Sequence, residues 1–177
     1  GEDGRYEIPR LLAGRYIVGI GAEPGTNGPY PTTFHPAAST ETGAMPVVVA
    51  DGKRVEGIDI VVPPKQSEVT VRIRVLWPDK RPVDFALIAV DHPQNGWVNS
   101  YNPKNRRAGF TDSNGFASIE LREGTEYTIS ATWQKMEPQP GNVIGRTVAS
   151  HQTNRLKLIG AAGAELTLTL NEQPEPR

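Results

Sequence analysis

The residue types that could do chemistry are few and scattered. Three histidines, His35, His92 and His151, are followed by Pro-Ala-Ala, Pro-Gln-Asn and Gln-Thr-Asn, and no two share an i, i+2 or i, i+4 spacing. A metal needs three or four convergent ligands, so these histidines read as solvated residues of three different loops. Asp112 and Asn114 form a short oxygen-rich turn, but calcium wants six or more oxygens, including a bidentate carboxylate. Asp112 is instead expected to cap the turn through neighbouring backbone amides, with Gly115 taking the positive φ. No G-x-S-x-G elbow, Walker loop or dinucleotide fingerprint occurs. Gly19-Ile20-Gly21-Ala22 is a strand end, because no helix follows to cradle a phosphate. The absence of Cys removes thiolate nucleophiles, thiolate metal sites and disulfides. No metal, cofactor or catalytic residue is expected, and the chain reads as a non-enzyme.

The stretch best suited to binding is 91–109, DHPQNGWVNSYNPKNRRAG. It is long for a hairpin connection, and such loops are usually functional or disordered. Trp97 and Tyr101 sit four residues apart among Asn99, Arg106, Arg107 and further amides. Aromatic faces stack on sugar rings or prolines, while amides and guanidinium groups supply planar hydrogen bonds. These five residues are the candidate glycan or peptide contacts. The alternative is that Trp97 folds back over the end of the fold as a lid, leaving Arg106 and Arg107 in solvent.

The elements that must carry this loop are short strands. With 18 Gly, 16 Pro and 37% hydrophobic residues, the composition suits many strands and turns in thin two-layer sandwiches. Val69, Val71, Ile73 and Val75 alternate with Thr70, Arg72 and Arg74, a half-buried strand. Phe85 to Val90 is an apolar run suited to a central strand, and 91–109 is structureless by pattern. Thr111 to Ala131 reads as turn, strand, Gly turn and strand. Gln134 to Asn154 reads as a second loop, and Leu156 to Ile159 and Glu165 to Leu170 close the unit. Trp77, Trp133 and Tyr127 belong to the core or the sheet ends; Tyr30, Phe34 and His35 form an aromatic rim or pack the first unit. A net charge of -1 gives no electrostatic case for nucleic acid. No apolar run approaches the ~20 residues that span a bilayer. The chain opens on Gly-Glu-Asp with no signal peptide, which reads as a piece of something longer.

The second unit has a partial twin. Asp3 to Ile20 aligns by pattern with Asn114 to Ala131, and Val47 to Val62 aligns with Leu156 to Leu170. The first unit is therefore expected to hold strands at Arg5 to Leu11, Arg15 to Ala22, Met45 to Val49 and Gly57 to Val62. It lacks a counterpart of Val69 to Val90. Those opening strands either lie upstream in a longer parent or are borrowed from the neighbouring unit, and the first unit is expected to be the less stable. The expected division is a partial sandwich at 1–64, a linker at 65–67 after Pro63-Pro64, a complete sandwich at 68–172 and a frayed tail at 173–177.

Pro78-Asp79-Lys80-Arg81-Pro82-Val83, Thr111-Asp112-Ser113-Asn114-Gly115-Phe116 and Leu121-Arg122-Glu123-Gly124-Thr125-Glu126-Tyr127 together resemble carboxypeptidase-regulatory-like domains. The first unit shares the resemblance through Glu2 to Tyr6 and Leu12 to Tyr16. It implies an all-β chain of two small Ig-like or prealbumin-like, transthyretin-like sandwiches, related to the B repeats of bacterial surface adhesins. It also implies an exported setting and other domains of a parent protein as partners. Some adhesin repeats cross-link a Lys of the first strand to an Asn; this strand has Arg72 and Arg74, which stay protonated and are poor nucleophiles. Related hydroxyisourate hydrolases end in Tyr-Arg-Gly-Ser, where this chain ends Pro-Glu-Pro-Arg. The zinc carboxypeptidases that carry such domains use His-x-x-Glu, which is absent. The implied function is a spacer or interaction module, with a glycan- or peptide-binding module or an accessory domain of a hydrolase as alternatives.

Overall fold

The computed structural model describes residues 3–23, 25, 27–98, 109–139 and 142–172, without the side chains of 138–139 and 142–146. The chain is all-β and divides into two units, residues 1–22 with 30–65, and residues 23–29 with 66–177.

The second unit is a two-sheet sandwich. One sheet has the order β12 (Glu165–Thr169), β5 (Glu68–Leu76), β8 (Phe116–Arg122), with β12 parallel and β8 antiparallel to β5. The other has the order β10 (Asn142–Gln152), β9 (Glu126–Gln139), β6 (Leu87–His92), β7 (Gly96–Val98), with β11 (Leu156–Ile159) on the free stretch of β9. The period-2 pattern explains the core directly. Val71, Ile73 and Val75 of β5 face Ile88 and Val90 of β6 and Tyr127 and Ile129 of β9, and all are fully or almost fully buried. Trp77 closes one end, edge-on to Trp133 at 5.1 Å between ring centres.

Turn chemistry sets the joins. The Asp112 Oδ1 accepts the N–H groups of Asn114 and Phe116, both at 2.9 Å, and Gly115 has φ +79°. A Cβ at Gly115 would stand 2.6 Å from the Val75 carbonyl oxygen, so only glycine fits there. Buried hydroxyls complete the backbone: Thr111 Oγ1 accepts from Ala86 N–H and donates to the Val83 carbonyl. Thr153 Oγ1 serves Ala131 N–H in the same way. At the start of β9 the buried Tyr127 hydroxyl accepts from Arg122 N–H at 3.0 Å and donates to Asn27 Oδ1 at 2.7 Å. Arg122 in turn holds the Asn27 carbonyl through two guanidinium N–H groups. This pins the 23–29 strip to the second unit, helped by Gly25 N–H on the Asn95 carbonyl.

Several sequence expectations are corrected here. Residues 91–109 are not structureless throughout: a tight turn at Pro93–Asn95, with Gly96 at φ +68°, folds β7 back on β6. Of the loop expected at Gln134 to Asn154, residues 134–139 and 142–152 instead form the β9–β10 ribbon, two long strands with two register shifts. Its pattern hides it, because bulges break the alternation that marks a strand. None of the three histidines is a solvated loop residue. His35 is buried with its Nδ1 at the Asp59 carbonyl, His151 lies on β10 against Trp77 and Trp133, and His92 ends β6. The tail expected to fray, 173–177, lies outside the described residues.

The first unit holds two two-stranded ladders. β1 (Gly14–Tyr16) pairs antiparallel with β4 (Val47–Val49), and β2 (Gly19–Ile20) pairs antiparallel with β3 (Thr33–Phe34). The strand expected over Arg15 to Ala22 is thus split, and that over Met45 to Val49 is trimmed. The strands expected at Arg5 to Leu11 and Gly57 to Val62 are absent; both segments are without a ladder. One piece of the twin alignment has a counterpart in the ladders, two residues out of the register that aligns Val47 with Leu156. Tyr16 is opposite Val47 in β1–β4, as Tyr127 is opposite Leu158 in β9–β11. The Tyr16 hydroxyl also returns to the backbone, donating to the Leu12 carbonyl at 2.8 Å. Val47 is the sole buried large hydrophobic residue among the described residues of this unit. Of the two readings for Tyr30, Phe34 and His35, packing holds for Phe34, half-buried in β3, and for His35, which is buried, whereas Tyr30 is exposed.

Replacing Tyr127 by Phe leaves the buried Arg122 N–H and Asn27 Oδ1 without their shared partner, which costs about 1–3 kcal/mol. Urea denaturation of the second unit's transition is the measurement, and an unchanged midpoint would show that the hydroxyl holds nothing.

Candidate functional site

The outward face of the β7–β6–β9–β11 sheet gathers the surface groups with binding chemistry. Ile88, Val90, Ile129 and Ala131 point into the core, so Ala89, Asp91, Thr128 and Ser130 point out. Cross-strand register carries that face across four strands. Trp97 stands opposite Asp91, Asp91 opposite Thr128, and Thr128 opposite Lys157. One step along, Ala89 stands opposite Ser130, and Leu87 stands between Thr132 and Phe110.

The result is a floor of Ala89, Ser130 and Thr128, with Asp91 and Leu87 among them, between two different walls. One wall is aromatic: Trp97 is 53% exposed, and the rings of Phe85 and Phe110 stack at 4.6 Å between centres. Trp97 and Phe110 are placed by Asp91 and Leu87, four residues apart on β6, so they are about 13 Å apart along the edge. The other wall is cationic. Arg155 Nη2 is ion-paired to Asp91 Oδ2, and Lys157 Nζ to Glu126 Oε1 at 2.5 Å. These pairs are exposed and add little stability, which leaves the cations able to exchange partners.

Of the five candidate contacts, the structure places Trp97 on β7, exposed and not folded back as a lid. Asn99, Tyr101, Arg106 and Arg107 lie outside the described residues. The described chain leaves β7 at Val98 and returns at Gly109–Phe110, on the same edge of β6. The sequence reading missed Phe85, Phe110, Asp91, Arg155 and Lys157 as neighbours of Trp97. Only the register of four strands brings them to one face. Period-2 counting within Leu87 to Asp91 would have put Leu87 and Asp91 on the same side, but no signal in the chain foretold Arg155.

Behind this face His92 is fixed by structure. Its Nδ1 accepts the N–H groups of Gln94 and Asn95, each at 3.2 Å, and its ring meets Tyr127 edge-on at 5.5 Å. Burial lowers its pKa below the ordinary value of 6.5, so the neutral imidazole is the folded form. On the outer surface of the β12–β5–β8 sheet, Arg72 and Arg74 stack over the Phe116 ring at 4.2 and 5.1 Å. They face away from the core in which a cross-linking side chain would have to sit. Among the described residues, no three His, Asp or Glu side chains converge, and no helix is long and apolar enough to cross a membrane.

His92 makes stability depend on pH. The unfolded chain binds the proton near pH 6.5, above the folded pKa. Stability is therefore full above that value and falls as pH drops through it, because the unfolded state is protonated first. The melting temperature at about pH 5.5 should fall relative to about pH 7.5, and His92→Gln should remove some of that fall. Equal falls in both proteins would rule His92 out as its source.

No protein-family model and no curated protein matches the chain.

Proposed function

We propose that the chain is a non-catalytic β-sandwich spacer and interaction module of a larger exported bacterial protein. In this reading it is of the carboxypeptidase-regulatory-like, transthyretin-like type, used in tandem. The observation that carries it is where the second unit spends its polar groups. Asp112, Thr111, Thr153, Tyr127 and Arg122 each serve the backbone or the 23–29 strip that they anchor. That is the chemistry of holding strands and turns in place. A tyrosine at the end of β1 and one near the start of β9 each bond to backbone four or five residues upstream, Tyr16 as donor and Tyr127 as acceptor, which supports a shared module type.

A second reading has its own observation. The exposed Trp97, with the stacked Phe85–Phe110 pair along the same strand edge and Arg155 and Lys157 opposite, suits a glycan chain or an extended peptide. Aromatic faces would take apolar ring or side-chain surface, and the cations would take hydroxyl or carbonyl oxygens.

The two readings separate in one titration. The full chain is titrated with a panel of soluble polysaccharides and proline-rich peptides, read by Trp fluorescence and gel retardation, beside Trp97→Ala. A spacer gives no saturable shift with any of them, and this is the expected result. A saturable shift weakened at least tenfold by Trp97→Ala, about 1.4 kcal/mol, moves the chain to the binding reading and fixes the site on this sheet face.

A further inference from the structure

The first unit lacks counterparts of β5, β6 and β7, and of these β5 is the strand whose two neighbours both have counterparts there. In the second unit β5 lies between β8 and β12, antiparallel to one and parallel to the other. The twin alignment makes residues 5–11 the counterpart of β8 and 57–62 the counterpart of β12. Neither segment has a ladder in the first unit, which has no counterpart of β5.

Three of the inward positions are left uncovered, while Ile58 and Ile60, counterparts of Leu166 and Leu168, are half-buried and Leu121 has Arg10 as its counterpart. Ala117 and Ile119 of β8 are 5% and 4% exposed, whereas their counterparts Tyr6 and Ile8 are 50% and 51% exposed. Leu170, just after β12, is 1% exposed and its counterpart Val62 is 49%. The segments remain close together: the Tyr6 hydroxyl donates to the Ile58 carbonyl, so they stand about a tyrosine side chain apart. In a sheet, two strands with one place between them are about 9.6 Å apart. Pro9 falls on the β8 counterpart, an edge position, where a missing N–H is tolerated.

We propose that residues 5–9 and 58–62, bounded by the left-handed Arg10 and Gly57, form a strand-acceptor site. It takes one extended segment with apolar residues at alternate positions, running antiparallel to 5–9 and parallel to 58–62. The occupant has the chemistry of β5, whose inward Val71, Ile73 and Val75 are fully buried. It adds main-chain hydrogen bonds on both sides and covers Tyr6, Ile8 and Val62, which is strand addition into a gap. Tyr6 must release the Ile58 carbonyl as the strand enters.

The probe is a synthetic peptide with the sequence of residues 67–76, SEVTVRIRVL, added to the full chain. Amide hydrogen exchange at Tyr6–Ile8 and Ile58–Ile60 is expected to slow about tenfold or more at saturating peptide. The same residues shuffled to destroy the alternation should not slow it. Ile8→Asp should abolish the effect, while Glu7→Lys, on the opposite face, should leave it intact. Ile8 is already exposed, so its replacement does not threaten folding. No protection at millimolar peptide overturns the proposal, as does equal protection by the shuffled peptide. Protection that rises with protein concentration in the absence of peptide also overturns it, by giving the place to a second copy of the chain.

Discussion

An extended strand is stable only where its backbone groups find partners, and β5 is where this constraint bears hardest. It is the central strand of its sheet, hydrogen-bonded on both sides, and its inward side chains fill the middle of the core. β8 and β12 make no ladder with each other; each is a strand because β5 is there. The first unit shows the same dependence from the other side. Arg5 to Leu11 and Gly57 to Val62 carry strand-like alternation and still form no ladder. β-propensity describes how a residue suits a pleated, half-covered surface, and a segment with no surface to join cannot use it.

The second sheet solves its own problem differently. β9 runs 14 residues, and only its first half is shared with β6 and β11. Where that support ends, Trp133 meets Trp77 edge-on and His151 packs beside both rings. The aromatic cluster sits at the root of the ribbon, where a two-stranded extension most needs tertiary contacts, since isolated ribbons are marginal in water. The same sheet presents opposite chemistries on its two sides. Tyr127 and His92 lie inside, and Asp91, Thr128 and Trp97 lie outside, set by alternation along three strands.

Much of the fold was legible where one residue type has one physical use. The Val-Thr-Val-Arg-Ile-Arg-Val alternation gave β5, and Asp112 and Gly115 gave a turn that the structure reproduces in detail. The aromatic residues Trp77, Trp133 and Tyr127 were rightly assigned to packing. Legibility failed where stability comes from partners distant in sequence. β7 is three residues long and exists because Val90, Asp91 and His92 pair with it. The β9–β10 ribbon carries bulges that erase the alternation. Asn27 lies in a loop of Gly, Pro and Thr, and nothing local says that Tyr127, 100 residues away, holds it. The candidate surface was half legible for the same reason: Trp97 stands out in any reading, while its neighbours come from four strands.

The parallel pairing of β12 with β5 has a mechanical side. The chain enters the second unit's sandwich at Glu68 and leaves it after Thr169, at opposite ends of two neighbouring parallel strands joined over five residue pairs. Tension applied through the flanking chain pulls these strands past one another along their own length. All the hydrogen bonds between them then carry the load together, whereas an antiparallel hairpin pulled from its open end would lose its bonds singly, like a zip. The arrangement makes this unit stiff along the direction in which a chain under tension would stretch it.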